Sequence, residues 1–159
     1  MTIEGILPAI ITPMDDNENL HLQELEVQIQ RQLRAGANGI FCLGTNGEFY
    51  SLSFQEKIQV ITKTCDVVNK QVPVIAGVGC ITTRETIQLA QEAERIGVDA
   101  ISVITPYFIK CSQEDLLKHY SDVAKAVNIP VFLYTIPART TNDIDPETVK
   151  TLAKIDNIV

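Results

Sequence analysis

The segment Tyr134-Thr135-Ile136-Pro137-Ala138-Arg139-Thr140 directly follows a short apolar run, Pro130-Val131-Phe132-Leu133. A phenol at the mouth of a buried strand can carry protons, and a cation just past a turn proline can hold a carboxylate. A second polar loop, Gly44-Thr45-Asn46-Gly47-Glu48, follows another apolar run, Gly39-Ile40-Phe41-Cys42-Leu43. Two polar loops after two buried strands point to one shared site.

The elements that would position these loops alternate regularly. Apolar runs at Ile6 to Ile11, Gly39 to Leu43, Val72 to Val78, Ala100 to Ile104 and Pro130 to Tyr134 read as strands buried on both faces, and Asn157-Ile158-Val159 begins another. Helical patterns lie between them. Leu22, Leu25, Ile29 and Leu33 share one stripe before Gly36, a helix stop. Ser53 with Glu56 makes a capping box for a helix whose inward stripe is Ile58, Ile61, Cys65 and Val68. Thr82 with Glu85 repeats the signal before Ile87, Ala90 and Ala93, and Gly97 ends that helix. Ser112 opens a helix with Leu116, Tyr120, Val123 and Val127 inward, and Asp145-Pro146 opens the last. The strand, loop and helix unit recurs about every 30 residues.

Alternation of this kind requires a parallel sheet, either an open doubly wound sheet or a (β/α)8 barrel. The first expected strand ends in Ile11-Thr12-Pro13, which cannot cradle a pyrophosphate, and Gly77-Val78-Gly79 supplies only two of the three glycines of a dinucleotide fingerprint. A barrel places its catalytic residues at the C-terminal ends of several strands. Thr12, Thr45, Gly79, Thr105-Pro106-Tyr107 and Tyr134 all fall there.

Composition narrows the function classes. A net charge of −7 with no long Lys/Arg run argues against nucleic acid or an anionic membrane surface as a partner. No run approaches the ~20 apolar residues of a membrane span, and Met1-Thr2-Ile3-Glu4-Gly5 lacks a basic lead-in, so a soluble, cytoplasmic protein is expected. Cys42, Cys65, Cys80 and Cys111 match no paired-ligand spacing and are expected as reduced, buried thiols. With His21 and His119 isolated, no metal is expected.

The pairing of Gly44-x-x-Gly47-Glu48 with Tyr134-x-x-Pro137-x-Arg139-Thr140, and of Thr105-Pro106-Tyr107 between them, resembles the dihydrodipicolinate synthase and N-acetylneuraminate lyase superfamily of pyruvate-dependent class I aldolases. The resemblance runs the length of the chain. It implies the first five to five and a half units, roughly, of a (β/α)8 TIM barrel, residues 1–159 being the N-terminal part of a single domain with no second domain. It also implies a homo-tetramer, no organic cofactor, and a Schiff base between a lysine and the ketone of pyruvate or another 2-oxo acid, which then joins or leaves an aldehyde. By resemblance Tyr134 is the general acid/base and Thr45 the hydroxyl bonded to it. Thr45, Asn46 and Gly47 form the pyruvate carboxylate pocket, Arg139 grips the carboxylate of the aldehyde substrate, and Tyr107 lines the site.

Other readings of the same residues stay open. Gly44 and Gly47 can mark a tight turn alone, Arg139 can pair with Asp143 or Asp145, and Glu48 reads better as a loop-anchoring carboxylate than as a base. Asn46 stands where the family carries a second Ser or Thr, and Phe108 where many synthases carry a tyrosine that completes a proton relay. A phenyl ring cannot relay protons, which points toward aldolases of 2-oxo-3-deoxy sugar acids or sialic acid, whereas Arg139 points toward the synthase branch. The family's Schiff-base lysine would lie a few residues beyond Val159, so this chain alone is expected to be inactive, or to be a half-barrel that binds a small carboxylic acid.

Overall fold

The computed structural model describes residues 3–159. These divide into two compact units, one running up to Gly77 and including Arg95–Asp99, the other comprising Val78–Glu94 and Ala100–Val159.

In the first unit, β1 (Ile40–Cys42) and β2 (Val74–Gly77) pair in parallel, with Ile40 opposite Val74 and Cys42 opposite Ala76. Both are short; β2 is buried throughout and β1 at Ile40 and Cys42, with Phe41 half-buried. Two helices pack on one another, α1 (Leu22–Arg34) and α2 (Phe54–Val68). Leu25 and Ile29 are the buried residues of the α1 stripe, and α1 gives way to Gly36 at φ +85°, a left-handed stop that glycine adopts without penalty. Its N-terminus is capped by His21, whose Nδ1 accepts from the Glu24 N–H at 3.1 Å, a role not foreseen for that residue. On α2 the expected capping box is present: Ser53 Oγ accepts from Glu56 N, and the Glu56 carboxylate accepts from Ser53 N at 2.7 Å. The buried stripe of α2 is Lys57, Val60, Ile61, Thr64 and Val68, so Ile58 and Cys65 are only half-buried and the inward face is rotated from the expected one. Asp99 closes the turn into β2 by accepting from Val74 N at 2.9 Å.

One expected strand is not a strand. Ile6 to Ile11 makes a single parallel bridge, Ala9 to Phe41, with hydrogen bonds from Ile10 N to Phe41 O and from Phe41 N to Pro8 O. Pro8 has no N–H to extend the ladder. Only Ile10 is buried, while Ile6 and Ile11 are 75% and 54% exposed.

In the second unit, β3 (Ala100–Ile104) and β4 (Val131–Tyr134) are parallel, Ile101 opposite Val131 and Ile104 opposite Tyr134. Every residue of β3 is buried. The helices are α3 (Thr83–Ile96, its last two residues in the first unit), α4 (Gln113–Lys125), the one-turn α5 (Pro137–Thr140) and α6 (Pro146–Leu152), with α4 packed on α6. Thr82 caps α3 by accepting from Glu85 N at 3.2 Å, and Ser112 with Asp115 forms a full capping box on α4. On α3 the buried residues are Thr86, Leu89, Ala90 and Ala93, leaving Ile87 half-buried. Leu116, Tyr120, Val123 and Val127 are buried as the α4 stripe requires. Ile158 bridges Val131 in parallel, with Val131 N bonded to Asn157 O at 2.7 Å and Val159 N to Val131 O at 3.1 Å, the start of the next expected strand.

Candidate functional site

The turn after β1 is a 3-10 turn over Thr45–Gly47. It is entered through Leu43, buried at φ +57°, and left through Glu48 at φ +52°. Phe108 and Thr141, in the loops after β3 and β4, also hold positive φ. Left-handed non-glycine residues are costly and persist where the surrounding structure enforces them, so these strand-end loops hold backbone strain.

At Gly47 there is little room for a side chain. A Cβ there would lie 3.1 Å from the Ile10 carbonyl oxygen, and Thr12 Oγ1 donates to Gly47 O at 2.7 Å. Its N–H is engaged on Gly44 O at 3.0 Å. Gly47 therefore shapes the turn by lacking a side chain. Thr45 is half-buried and Asn46 exposed. Glu48 is exposed, and its carbonyl accepts from Ser51 Oγ at 2.8 Å.

The glycines of Gly77-Val78-Gly79 also have packing reasons. A Cβ on Gly77 would meet the Leu43 carbonyl oxygen at 2.1 Å, and one on Gly79 would meet Ile104 Cγ2 at 2.5 Å. The pair serves backbone contact, which removes the motive for a phosphate loop.

In the second unit, Tyr134 ends β4 and is half-buried. Its carbonyl accepts from Thr105 N at 3.1 Å, locking the ends of β3 and β4 in register. The buried Tyr120 hydroxyl donates to Val103 O at 3.2 Å beneath them, and burial pushes that phenol far up. Tyr107 is half-buried in the loop after β3; burial raises its phenol, with Cys80 and Glu85 nearby adding to the effect. Phe108, beside it, is 88% exposed. Arg139 is exposed on α5, which begins with Pro137 and ends at left-handed Thr141. Asp143, weighed as its ion-pair partner, instead accepts from Thr135 Oγ1 at 3.0 Å and from Ile144 N at 2.9 Å.

Thr45, Asn46 and Gly47 thus share one turn of the first unit, while Tyr107, Tyr134 and Arg139 lie at the C-terminal ends of paired parallel strands of the second. A residue that sequence reasoning passed over, Asn142, is buried between the loops that carry Tyr107 and Arg139. A lone amide in a polar loop gives no pattern to find it by.

Of the four thiols, which are free, Cys42 and Cys80 are buried and Cys65 and Cys111 half-buried. Burial pushes Cys42 up to about 12 and Cys65 up to about 11, which leaves them protonated and unreactive. His119, on α4, is buried, and its Nδ1 lies 2.9 Å from Thr83 Oγ1. No helix among the described residues is long and apolar enough to cross a membrane.

The sequence profile of the dihydrodipicolinate synthetase family matches residues 2–159. The chain is 43% identical over 157 residues to 4-hydroxy-tetrahydrodipicolinate synthase of Ectopseudomonas mendocina, covering 99% of this chain and 54% of that protein. It is 45% identical over 151 residues to the enzyme of the same name from Methanocaldococcus jannaschii, covering 95% and 52%. Among solved structures it resembles the chloride-inhibited dihydrodipicolinate synthase of Acinetobacter baumannii complexed with pyruvate, at TM-score 0.97 and 42% identity over 99% of this chain and 54% of that one. The chain spans about half the length of the curated relatives it matches. Its parallel strands and alternating helices are accordingly part of a (β/α)8 barrel.

Proposed function

Because this chain belongs to the dihydrodipicolinate synthetase family, we propose that it supplies the carboxylate-binding turn and the proton-carrying tyrosine of a Schiff-base lyase that joins or splits pyruvate and an aldehyde. The observation that carries the reading is placement: the Thr45 turn follows the C-terminal end of one parallel strand and Tyr134 is the last residue of another, the end at which barrels of this kind build their sites.

The chemistry asks for few parts. An amine adds to the 2-oxo group, water leaves, and the resulting iminium draws electrons from the neighbouring carbon, so a carbon–carbon bond there can form or break. Thr45 and Asn46 hold the pyruvate carboxylate, with Gly47 giving the turn its shape. Tyr134 passes a proton between the nitrogen and the substrate oxygen. An ordinary phenol, with pKa ~10, needs help to do so near neutrality, and the Thr45 hydroxyl is the proposed partner. Arg139, exposed on α5, offers a planar fork to a carboxylate on the aldehyde, and Tyr107 lines the approach. The amine belongs to the strand that Asn157-Ile158-Val159 begins. Of the eight lysines here, Lys110, the one that follows a strand-end loop, is exposed.

The whole protein is proposed to be a cytoplasmic homo-tetramer. A second reading, in which the substrate is a 2-oxo-3-deoxy sugar acid, is favoured by Phe108, which has no hydroxyl to extend the relay.

Borohydride reduction with pyruvate tests the proposal. The protein carrying this chain together with its lysine-bearing strand should gain one reduced pyruvyl group, and this chain alone should gain none. An adduct on a lysine of this chain would move the amine elsewhere. No adduct on the longer protein would remove the lyase reading.

A further inference from the structure

Between the loop after β3 and the loop after β4 lies a closed set of polar contacts that the proposed chemistry does not use. Asn142 is 2% exposed. Its Nδ2 donates to Pro106 O at 2.7 Å and to Ile109 O at 2.8 Å, and its Oδ1 accepts from Cys111 N at 2.7 Å. A carboxamide has two donor hydrogens and one acceptor oxygen, and all three functions are spent here on a single loop. Behind it, the buried Thr105 Oγ1 donates to Thr140 Oγ1 at 2.8 Å, which donates to Asn142 O at 3.0 Å.

These bonds flank the candidate binding residues. Pro106 and Ile109 bracket Tyr107 and the left-handed Phe108, and Thr140 follows Arg139 directly. A loop containing a positive-φ aromatic holds one conformation only when its surroundings outweigh the strain. Asn142 supplies that constraint from the segment next to Arg139. We propose that Asn142 is a positioning residue: it fixes the Tyr107 loop to the Arg139 segment, so that both meet the second, aldehyde substrate in one geometry, without touching the pyruvate turn. This rests on the function proposed above.

The two substrates separate the alternatives. In the protein carrying this chain and its lysine-bearing strand, Asn142→Ala should raise KM for a carboxylate-bearing aldehyde, with succinic semialdehyde as the probe, by about tenfold. Borohydride trapping of pyruvate should be unchanged per folded molecule. Asn142→Asp should behave alike, because an ionised carboxylate cannot donate to Pro106 O or Ile109 O. Thr140→Val, which removes only the hydroxyl link, should shift KM in the same direction by less, and serves if Asn142 variants fold poorly. A residue that only stabilises would lower trapping and aldehyde turnover together. That result, or an unchanged semialdehyde KM in a folded variant, overturns the proposal. Should the parent protein give no pyruvyl adduct, the lyase reading fails, and the positioning role is decided by hydrogen exchange in this chain. The Cys111 amide should exchange at least about tenfold faster in Asn142→Ala while Val131 is unaffected, and unaltered exchange at Cys111 overturns it.

Discussion

Thr12 donates its hydroxyl hydrogen to the carbonyl of Gly47 at 2.7 Å, tying the segment after the Ile6 to Ile11 run to the turn that carries Thr45 and Asn46. The turn therefore depends on a residue far from it in sequence. Thr12→Val keeps the shape and removes the bond, which should cost about 1 kcal/mol in denaturant unfolding of this chain. Gly47→Ala should cost more, because its Cβ would press on the Ile10 carbonyl oxygen, a backbone atom that cannot swing away. Equal stabilities of Gly47→Ala and the parent would show that the turn tolerates a side chain.

Tyr134→Phe removes one oxygen from a half-buried strand end whose backbone contacts stay in place. In the protein with its lysine-bearing strand, turnover should fall by about 100-fold or more while the unfolding midpoint holds. An unchanged rate would take Tyr134 out of the mechanism.

The parts legible in the sequence were those with a local cause. The capping box at Ser53, the helix start at Ser112, the glycine stop at Gly36 and the buried strand Ala100–Ile104 each follow from neighbours a few residues away. Ile6 to Ile11 misled because its apolar content is strand-like while Pro8 interrupts the ladder. The α2 face was rotated because Lys57 turns inward, its ammonium 5.9 Å above the Phe49 ring, which periodicity scores as a polar position. At the candidate site, Tyr134, Arg139 and the Thr45 turn were visible as motifs. Asn142 was not, because its partners Pro106, Ile109 and Cys111 are joined to it only by the tertiary fold.

Thiol labelling of the native chain reads burial directly. Cys42 lies in β1 with its thiol pushed up to about 12 by burial, and Cys80 is buried after β2, whereas Cys111 is part-exposed. With an aromatic disulfide reagent near pH 8, Cys111 should react first, while Cys42 and Cys80 should react only as the chain opens. Labelling of Cys42 at the rate of Cys111 would contradict the packing of β1.

His119 sets an acid limit on the second unit. Its Nε2 is buried without a hydrogen-bond partner, its Nδ1 faces Thr83, and its ring lies edge-on to Tyr120. Burial pulls the imidazole down to about 4, the Asp122 carboxylate opposing this only in part. The folded chain therefore keeps His119 neutral where the unfolded chain, near the ordinary value of 6.5, takes up a proton. Stability is full above pH 6.5 and falls as pH drops toward 4, by about 3 kcal/mol over the window. The Glu56, Asp115 and Asp122 carboxylates are held low by Ser53, Ser112 and Lys118, so their contribution to stability is also lost toward the acid end of the window, and the His119 share is read as the difference between parent and variant. His119→Gln, neutral at every pH, should flatten the dependence of the unfolding free energy between 6.5 and 4 measured in urea. A slope that survives the substitution would assign the acid sensitivity to another group.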